Sequence, residues 1–228
     1  MLPLRDKNPS GVVPWAVYGL IAANALVFVH ELSLPPKGLM ALVARYGMVP
    51  RQVTLAVRGR ADPVTAILVP AIASMFLHGG WAHLIGNMWF LHIFGDNVED
   101  SLGHLGFLAF YVFCGLIATA AQYVLYPKSP VPTIGASGAI AGVLGAYFVT
   151  WPGARIVTLI PLFLVFPVVE LPAILVLGFW FLIQFFQGAA SPGVAFAHGV
   201  AYWAHVGGFV TGALLMLALP QRRRRSSS

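Results

Sequence analysis

Ser137 stands in the stretch Gly135-Ala136-Ser137-Gly138-Ala139, where a loop carrying Pro130 and Pro132 gives way to an apolar run. A serine there is a helix cap, a packing residue or a nucleophile, and it becomes a nucleophile only when a base takes its proton. His205, in the last apolar run, is the candidate base. His83 and Asn87 are four residues apart in an earlier run, so they share one helix face. Both are donors of the kind an acyl-transfer oxyanion requires. His92 falls off that face. Each residue also has a purely structural reading, because a polar side chain between membrane helices can hydrogen-bond across the bundle as glue. Which reading holds depends on the elements that carry them.

Those elements belong to a membrane protein. The chain has 228 residues, of which 59% are hydrophobic and 9% charged, with a mean hydropathy of +0.84. A soluble domain carries about 25% charged residues. The net charge of +6 does not indicate nucleic-acid binding, since Arg222-Arg223-Arg224-Arg225 directly follows an apolar run and such a cluster marks a cytoplasmic membrane flank. Cys114 is the single cysteine, which excludes an intrachain disulfide. No cleavable signal pattern precedes the first apolar run, which reads as a retained span.

The expected fold class is all-α: a polytopic bundle of six transmembrane helices with a partly membrane-inserted first loop. Spans are expected at about 11–29, 81–95, 105–125, 136–150, 168–186 and 200–219, between a cytoplasmic lead, 1–10, and a basic cytoplasmic tail, 220–228. Residues 32–78 are too polar to cross and read as interfacial, with a short amphipathic helix on the membrane. Within them Val64 to Leu77 is apolar but short and contains Pro70, which suggests a re-entrant or surface-lying segment. Asp96-Asn97-Val98-Glu99-Asp100 reads as an acidic turn after the second span. Six spans put both ends on one side, and the arginine tail assigns that side to the cytoplasm. Spans four and six then both start on the outer side, with Ser137 in the first turn of one and His205 one to two turns into the other. At about 1.5 Å per residue the two lie level.

Small residues supply the means of contact. Gly138, Gly142 and Gly145 recur in the fourth span, and Ala204, Gly208 and Gly212 in the sixth. Such stripes let helix backbones approach closely, and packing one on the other would carry the imidazole of His205 to the hydroxyl of Ser137. The pattern alone is weak; it strengthens because each stripe carries one half of a nucleophile–base pair. No orienting carboxylate is tied to His205: Asp96, Glu99 and Glu170 fall near the inner side, and no pattern links Glu31 to it. A Ser–His dyad is therefore the expectation, with the free N–H of Ser137 at the helix start as an oxyanion donor.

These residues resemble the rhomboid intramembrane serine proteases. The carrying motifs are His78-Gly79-Gly80-Trp81-Ala82-His83-Leu84-Ile85-Gly86-Asn87, then Gly135-Ala136-Ser137-Gly138, then Ala204-His205-Val206-Gly207-Gly208 with Gly212. The resemblance covers about Pro70 to Gly212. It implies a nucleophile, Ser137, a base, His205, and an oxyanion site including His83 and Asn87. It also implies cleavage of transmembrane protein substrates near the outer face of the lipid bilayer, with no cofactor. The expected location is a bacterial plasma membrane, and no metal is expected. The fifth span and the loop from Gln187 to His198 would correspond to a gate and cap. Some relatives carry a tyrosine four residues after the serine; here it is Ala141, which leaves the brace of His205 unassigned. Glu99 and Gly103 match the family pattern, whereas Ser101 stands where arginine is common. Nothing in the pattern assigns an oligomeric state.

Three other readings compete. A catalytically silent relative that binds or escorts membrane clients would use the same fold, although the presence of Ser137 and His205 weighs against it. A transporter would need buried carboxylates and recognisable halves, and the sequence suggests neither. A soluble hydrolase elbow, G-x-S-x-G, fails because Ala139 replaces the second glycine. His30, His92, His104 and His198 have no metal-ligand spacing.

Overall fold

Apolar runs separated by proline and glycine give this chain its helices. In the computed structural model, residues 1–162, 165–190 and 200–219 are described. The arginine tail and most of the expected cap, including His198, lie outside them. Helix α1 (Trp15–Ser33) ends before Pro35 and Pro36, and α2 (Pro36–Tyr46) and α3 (Pro50–Val57) each begin on a proline, whose missing N–H costs nothing in a first turn. A π-helical turn, Val64–Leu68, leads into α4 (Val69–Ala73) and a 3₁₀ turn, Ser74–Phe76. Pro70 sits in the first turn of α4, where a new helical piece starts. The segment Val64–Phe76 meets α5 (Trp81–Leu102) at 83°. Then follow α6 (His104–Leu125), α7 (Ser137–Thr150), α8 (Ala173–Ala189) and α9 (Tyr202–Ala218).

Among the described residues, α1 and α6 are each long and apolar enough to cross a bilayer, as is the bent pair formed by Val64–Phe76 and α5 if it counts as one span. Helices α7, α8 and α9 are apolar but shorter. Leu26, Val29, Leu105, Leu182 and Leu214 are exposed on the outside of the bundle, as lipid-facing side chains are.

Helix α7 is the core. Every residue from Ala139 to Tyr147 is buried, because α5, α6, α8 and α9 surround it. A helix that is apolar all round belongs in a protein core or in lipid, and α7 takes the core position. Its 14 residues span about 21 Å, against about 30 Å of hydrocarbon.

The expected acidic turn does not exist as a turn. Helix α5 continues through it to Leu102, and the chain turns at Gly103, whose φ of +74° suits a residue without Cβ. The acidic residues are absorbed by local partners. Glu99 is fully buried and accepts the N–H groups of Ala16 and Val17 at 2.8 Å each, capping α1, and it pairs with His104 Nδ1 at 2.5 Å. Asp100 accepts the N–H of Gly11 at 2.8 Å.

The sequence reading contained no strand, yet a small antiparallel sheet closes the end of the bundle opposite Ser137. Its order is β1 (Leu2–Asp6), β2 (Arg155–Leu159) and β3 (Val168–Pro172). Leu2 is opposite Leu159, and Arg155 is opposite Pro172. Strands this short, with apolar runs on either side, cannot be told from connecting chain by periodicity. Lys7 pairs with Glu170 and holds its carboxyl below the usual carboxylate range. Burial pushes the Asp6 carboxyl up, while a hydrogen bond from the Tyr147 hydroxyl at 2.7 Å acts against that rise.

Candidate active site

Glycine determines how closely α9 lies on α7. A Cβ on Gly208 would come 2.1 Å from the carbonyl oxygen of Gly138, and one on Gly212 would come 1.9 Å from that of Gly142. Neither position admits a side chain while the helices stay where they are. The contact differs in detail from stripe on stripe. The glycines of α9 meet carbonyls of α7, whereas the open sides of Gly138 and Gly142 face Ala118 and Cys114 of α6, at 2.7 and 2.5 Å from a built Cβ. Gly145 faces the carbonyl of Phe209 on α9.

This approach brings two expected residues together. Ser137, the first residue of α7, has its Oγ 2.8 Å from Nε2 of His205, one turn into α9. The other ring nitrogen, Nδ1, lies 2.7 Å from Oε1 of Gln184 on α8. An amide oxygen only accepts, so the ring proton sits on Nδ1. Nε2 is then a lone pair, and the serine hydroxyl donates to it. That is the hydrogen-bonded order a nucleophile and its base require.

Two more expected residues meet the head of α7. Gly135 has φ +112°, and a Cβ there would lie 2.6 Å from His83 Nε2 and 3.5 Å from Asn87 Nδ2. Only glycine suits that backbone and that space. His83 accepts the N–H of Gly79 on Nδ1 at 3.3 Å, which leaves its proton on Nε2, the atom next to Gly135. Asn87 Nδ2 donates to His78 Nε2 at 3.0 Å, and His78 Nδ1 donates to the carbonyl of Phe76 at 3.2 Å. The second N–H of Asn87 is not used by that bond. The N–H of Ser137 has no partner within its own helix. His83, Asn87 and the Ser137 backbone thus bring donors to one region beside the serine. With His205 they line a cavity of about 710 Å³.

Sequence reasoning missed Gln184 and Trp180. Trp180 lies against the His205 ring, with centroids 5.8 Å apart. The signal was present: Gln184 is an uncharged polar residue in an apolar run, a costly placement that marks a suspect. Ala141 leaves no gap, because it is buried against Gly208, 3.3 Å from a Cβ built there. Trp203 packs on Phe185 and Gly188. The expectation of no buried carboxylates is corrected: Glu31 and Glu99 are both buried. Glu31 accepts the N–H of His78 at 3.2 Å, so it supports the strut behind Asn87, and neither carboxylate lines the cavity. No group of three or more metal-ligating side chains occurs among the described residues.

The comparisons with known proteins agree with this architecture. The family model of the Rhomboid domain matches residues 67–222. Rhomboid-like protein 11, chloroplastic, of Arabidopsis thaliana is 38% identical over 71 residues, which cover 31% of this chain and 25% of that protein. Presenilin-associated rhomboid-like protein, mitochondrial, of Bos taurus is 32% identical over 151 residues, covering 64% and 36%. RHOMBOID-like protein 4 of Arabidopsis thaliana is 26% identical over 231 residues, covering 90% and 52%. The chain therefore spans between a quarter and about half of the length of these relatives. With its apolar helices packed around α7 and a domain match extending over most of its length, this chain is an integral membrane protein and belongs to the rhomboid family.

Proposed function

We propose that this protein is an intramembrane serine endopeptidase that cleaves transmembrane segments of other proteins. The observation that carries the reading is the 2.8 Å contact between Ser137 Oγ and His205 Nε2. In the proposed reaction Ser137 Oγ attacks a peptide carbonyl carbon while its proton passes to His205 Nε2. The oxyanion is held by His83 Nε2–H, by the second N–H of Asn87 and by the N–H of Ser137. Collapse of the tetrahedral intermediate breaks the C–N bond, and His205 returns the proton to the departing amine. Water, deprotonated by His205, then attacks the acyl-enzyme; the C–O bond to Ser137 breaks and His205 returns the proton to Oγ. These residues require no cofactor or metal for that sequence of steps.

The proposed membrane arrangement is six crossings at the positions given by the apolar runs, with both ends cytoplasmic in a bacterial plasma membrane. Because α7 is shorter than the hydrocarbon is thick, its serine end is recessed, and the cavity in front of it gives water a place to reach the acyl-enzyme. Transmembrane proteins are the proposed partners, and the bilayer is their common solvent.

The test is reaction with a fluorophosphonate probe, together with cleavage of a transmembrane reporter in liposomes. Wild-type protein is expected to take the label and cut the reporter. Ser137→Ala and His205→Ala are each expected to lose both activities while remaining folded. Full cleavage by Ser137→Ala would overturn the mechanism, and a folded wild-type protein that neither labels nor cleaves would indicate a silent binder of membrane clients.

A further inference from the structure

Helix α8 reads Ala-Ile-Leu-Val-Leu-Gly-Phe-Trp-Phe-Leu-Ile-Gln-Phe-Phe-Gln-Gly-Ala from Ala173 to Ala189. Its first polar side chain is Gln184. An amide inside such an apolar helix must find a partner, because an unpaired one is costly in apolar surroundings. Its Oε1 has that partner in His205 Nδ1 at 2.7 Å. Trp180, one turn earlier on the same face, covers the ring, with centroids 5.8 Å apart and planes 35° apart. The seat of α8 on α9 is aromatic: Phe181 and Trp180 lie 4.7 and 6.2 Å from the Phe209 ring. His205 is therefore held from a neighbouring helix, and not by anything four residues after Ser137.

We infer that Gln184 is the positioning residue of His205, fixing the imidazole as its Nδ1–H tautomer through the Gln184 Oε1 acceptor, with Trp180 as the wall that sets the plane of the ring. The inference deepens the protease reading and depends on it for its effect on rate, but the tautomer itself stands apart from any activity. If the ring proton moved to Nε2, that nitrogen could no longer accept from Ser137, and the dyad would be disarmed. When Nε2 takes the serine proton the ring becomes a cation, and Nδ1–H to Oε1 becomes a charge-assisted bond of greater strength. Gln184 gains and loses no proton. It does what an orienting carboxylate would do, without a charge that an apolar helix would have to desolvate. Among the described residues, the titratable group that faces His205 is His83 of α5. No carboxylate lines the cavity.

The experiment is nitrogen-15 NMR of histidine-labelled protein in detergent micelles, with the His205 signals assigned by their loss in His205→Asn, alongside reporter kinetics. Wild-type His205 is expected to carry its proton on Nδ1 and none on Nε2. Gln184→Leu is expected to mix the two tautomers and to lower kcat roughly 10–100-fold with little change in KM. Gln184→Glu keeps an acceptor oxygen and is expected to restore the tautomer and most of kcat. A wild-type proton on Nε2, or Gln184→Leu with the wild-type tautomer and kcat, would overturn the inference. If Gln184→Leu does not fold, the wild-type tautomer and the Gln184→Glu variant decide it. Should the wild-type protein neither label nor cleave, the protease reading fails, and the NMR arm still decides the role of Gln184.

Discussion

The α-carbon of Gly208 lies so close to Gly138 that a methyl group on it would come 2.1 Å from the Gly138 carbonyl oxygen. This contact is one residue from Ser137 on α7 and three from His205 on α9, so it controls the separation of hydroxyl and imidazole. Gly208→Ala is expected to push α9 away by enough to break the 2.8 Å bond. Overpacking a close contact costs about 1–3 kcal/mol, so the variant should still fold, with a lower melting temperature in detergent. It should label with fluorophosphonate far more slowly than wild type. Wild-type labelling by Gly208→Ala would show that the helix contact does not control the dyad.

Gly135 makes a separate prediction about the donors. Adding a Cβ there strains a positive φ and drives into His83 Nε2 at 2.6 Å. Gly135→Ala is expected to displace His83 and to lower kcat on a transmembrane reporter while Ser137 and His205 keep their contact. Asn87→Ala removes one donor directly. Its expected loss is about 10²–10³ in kcat, smaller than that of Ser137→Ala because the other donors remain. Equal losses in Asn87→Ala and Ser137→Ala would mean that Asn87 does more than donate to an oxyanion.

Glu99 should behave as a structural carboxylate remote from the chemistry. It is fully buried and caps α1 through the N–H groups of Ala16 and Val17. Removing one partner of a buried charge-assisted network costs about 3–5 kcal/mol. Glu99→Ala is expected to lower the melting temperature by far more than His104→Ala, whose imidazole is about half exposed. Residual folded Glu99→Ala should keep its rate of fluorophosphonate labelling per folded molecule.

Asp6 supplies a pH prediction at the sheet end. Burial raises its pKa above that of an ordinary aspartate. As pH rises through that value the unfolded chain ionises first and the folded protein retains the proton, so stability from this group declines until the folded pKa is passed. Asp6→Asn removes the titration. The melting temperature of wild type relative to Asp6→Asn is expected to fall as pH is raised above about 4. A difference that is flat with pH, or of opposite slope, would show that the hydrogen bonds from Tyr147 and Asn97 outweigh burial.

Much of the site could be read in the sequence because its parts are local. The apolar runs identify the helices, the histidine and asparagine of α5 share a face by helical period, and the small residues of α9 mark a close approach. The type and order of Ser137, His205, His83 and Asn87 pointed to one chemistry before any contact was known. What the tertiary structure decided are relations between groups that no period connects. Gln184 meets His205 only because aromatic packing on Phe209 turns α8 that way. Glu31 reaches the backbone of His78 across 47 residues. The sheet pairs Leu2–Asp6 with Arg155–Leu159, and the acidic stretch stays helical while its Glu99 caps α1. A sequence displays the polar groups that an apolar environment makes costly. Which partner satisfies each of them is fixed only when the helices pack.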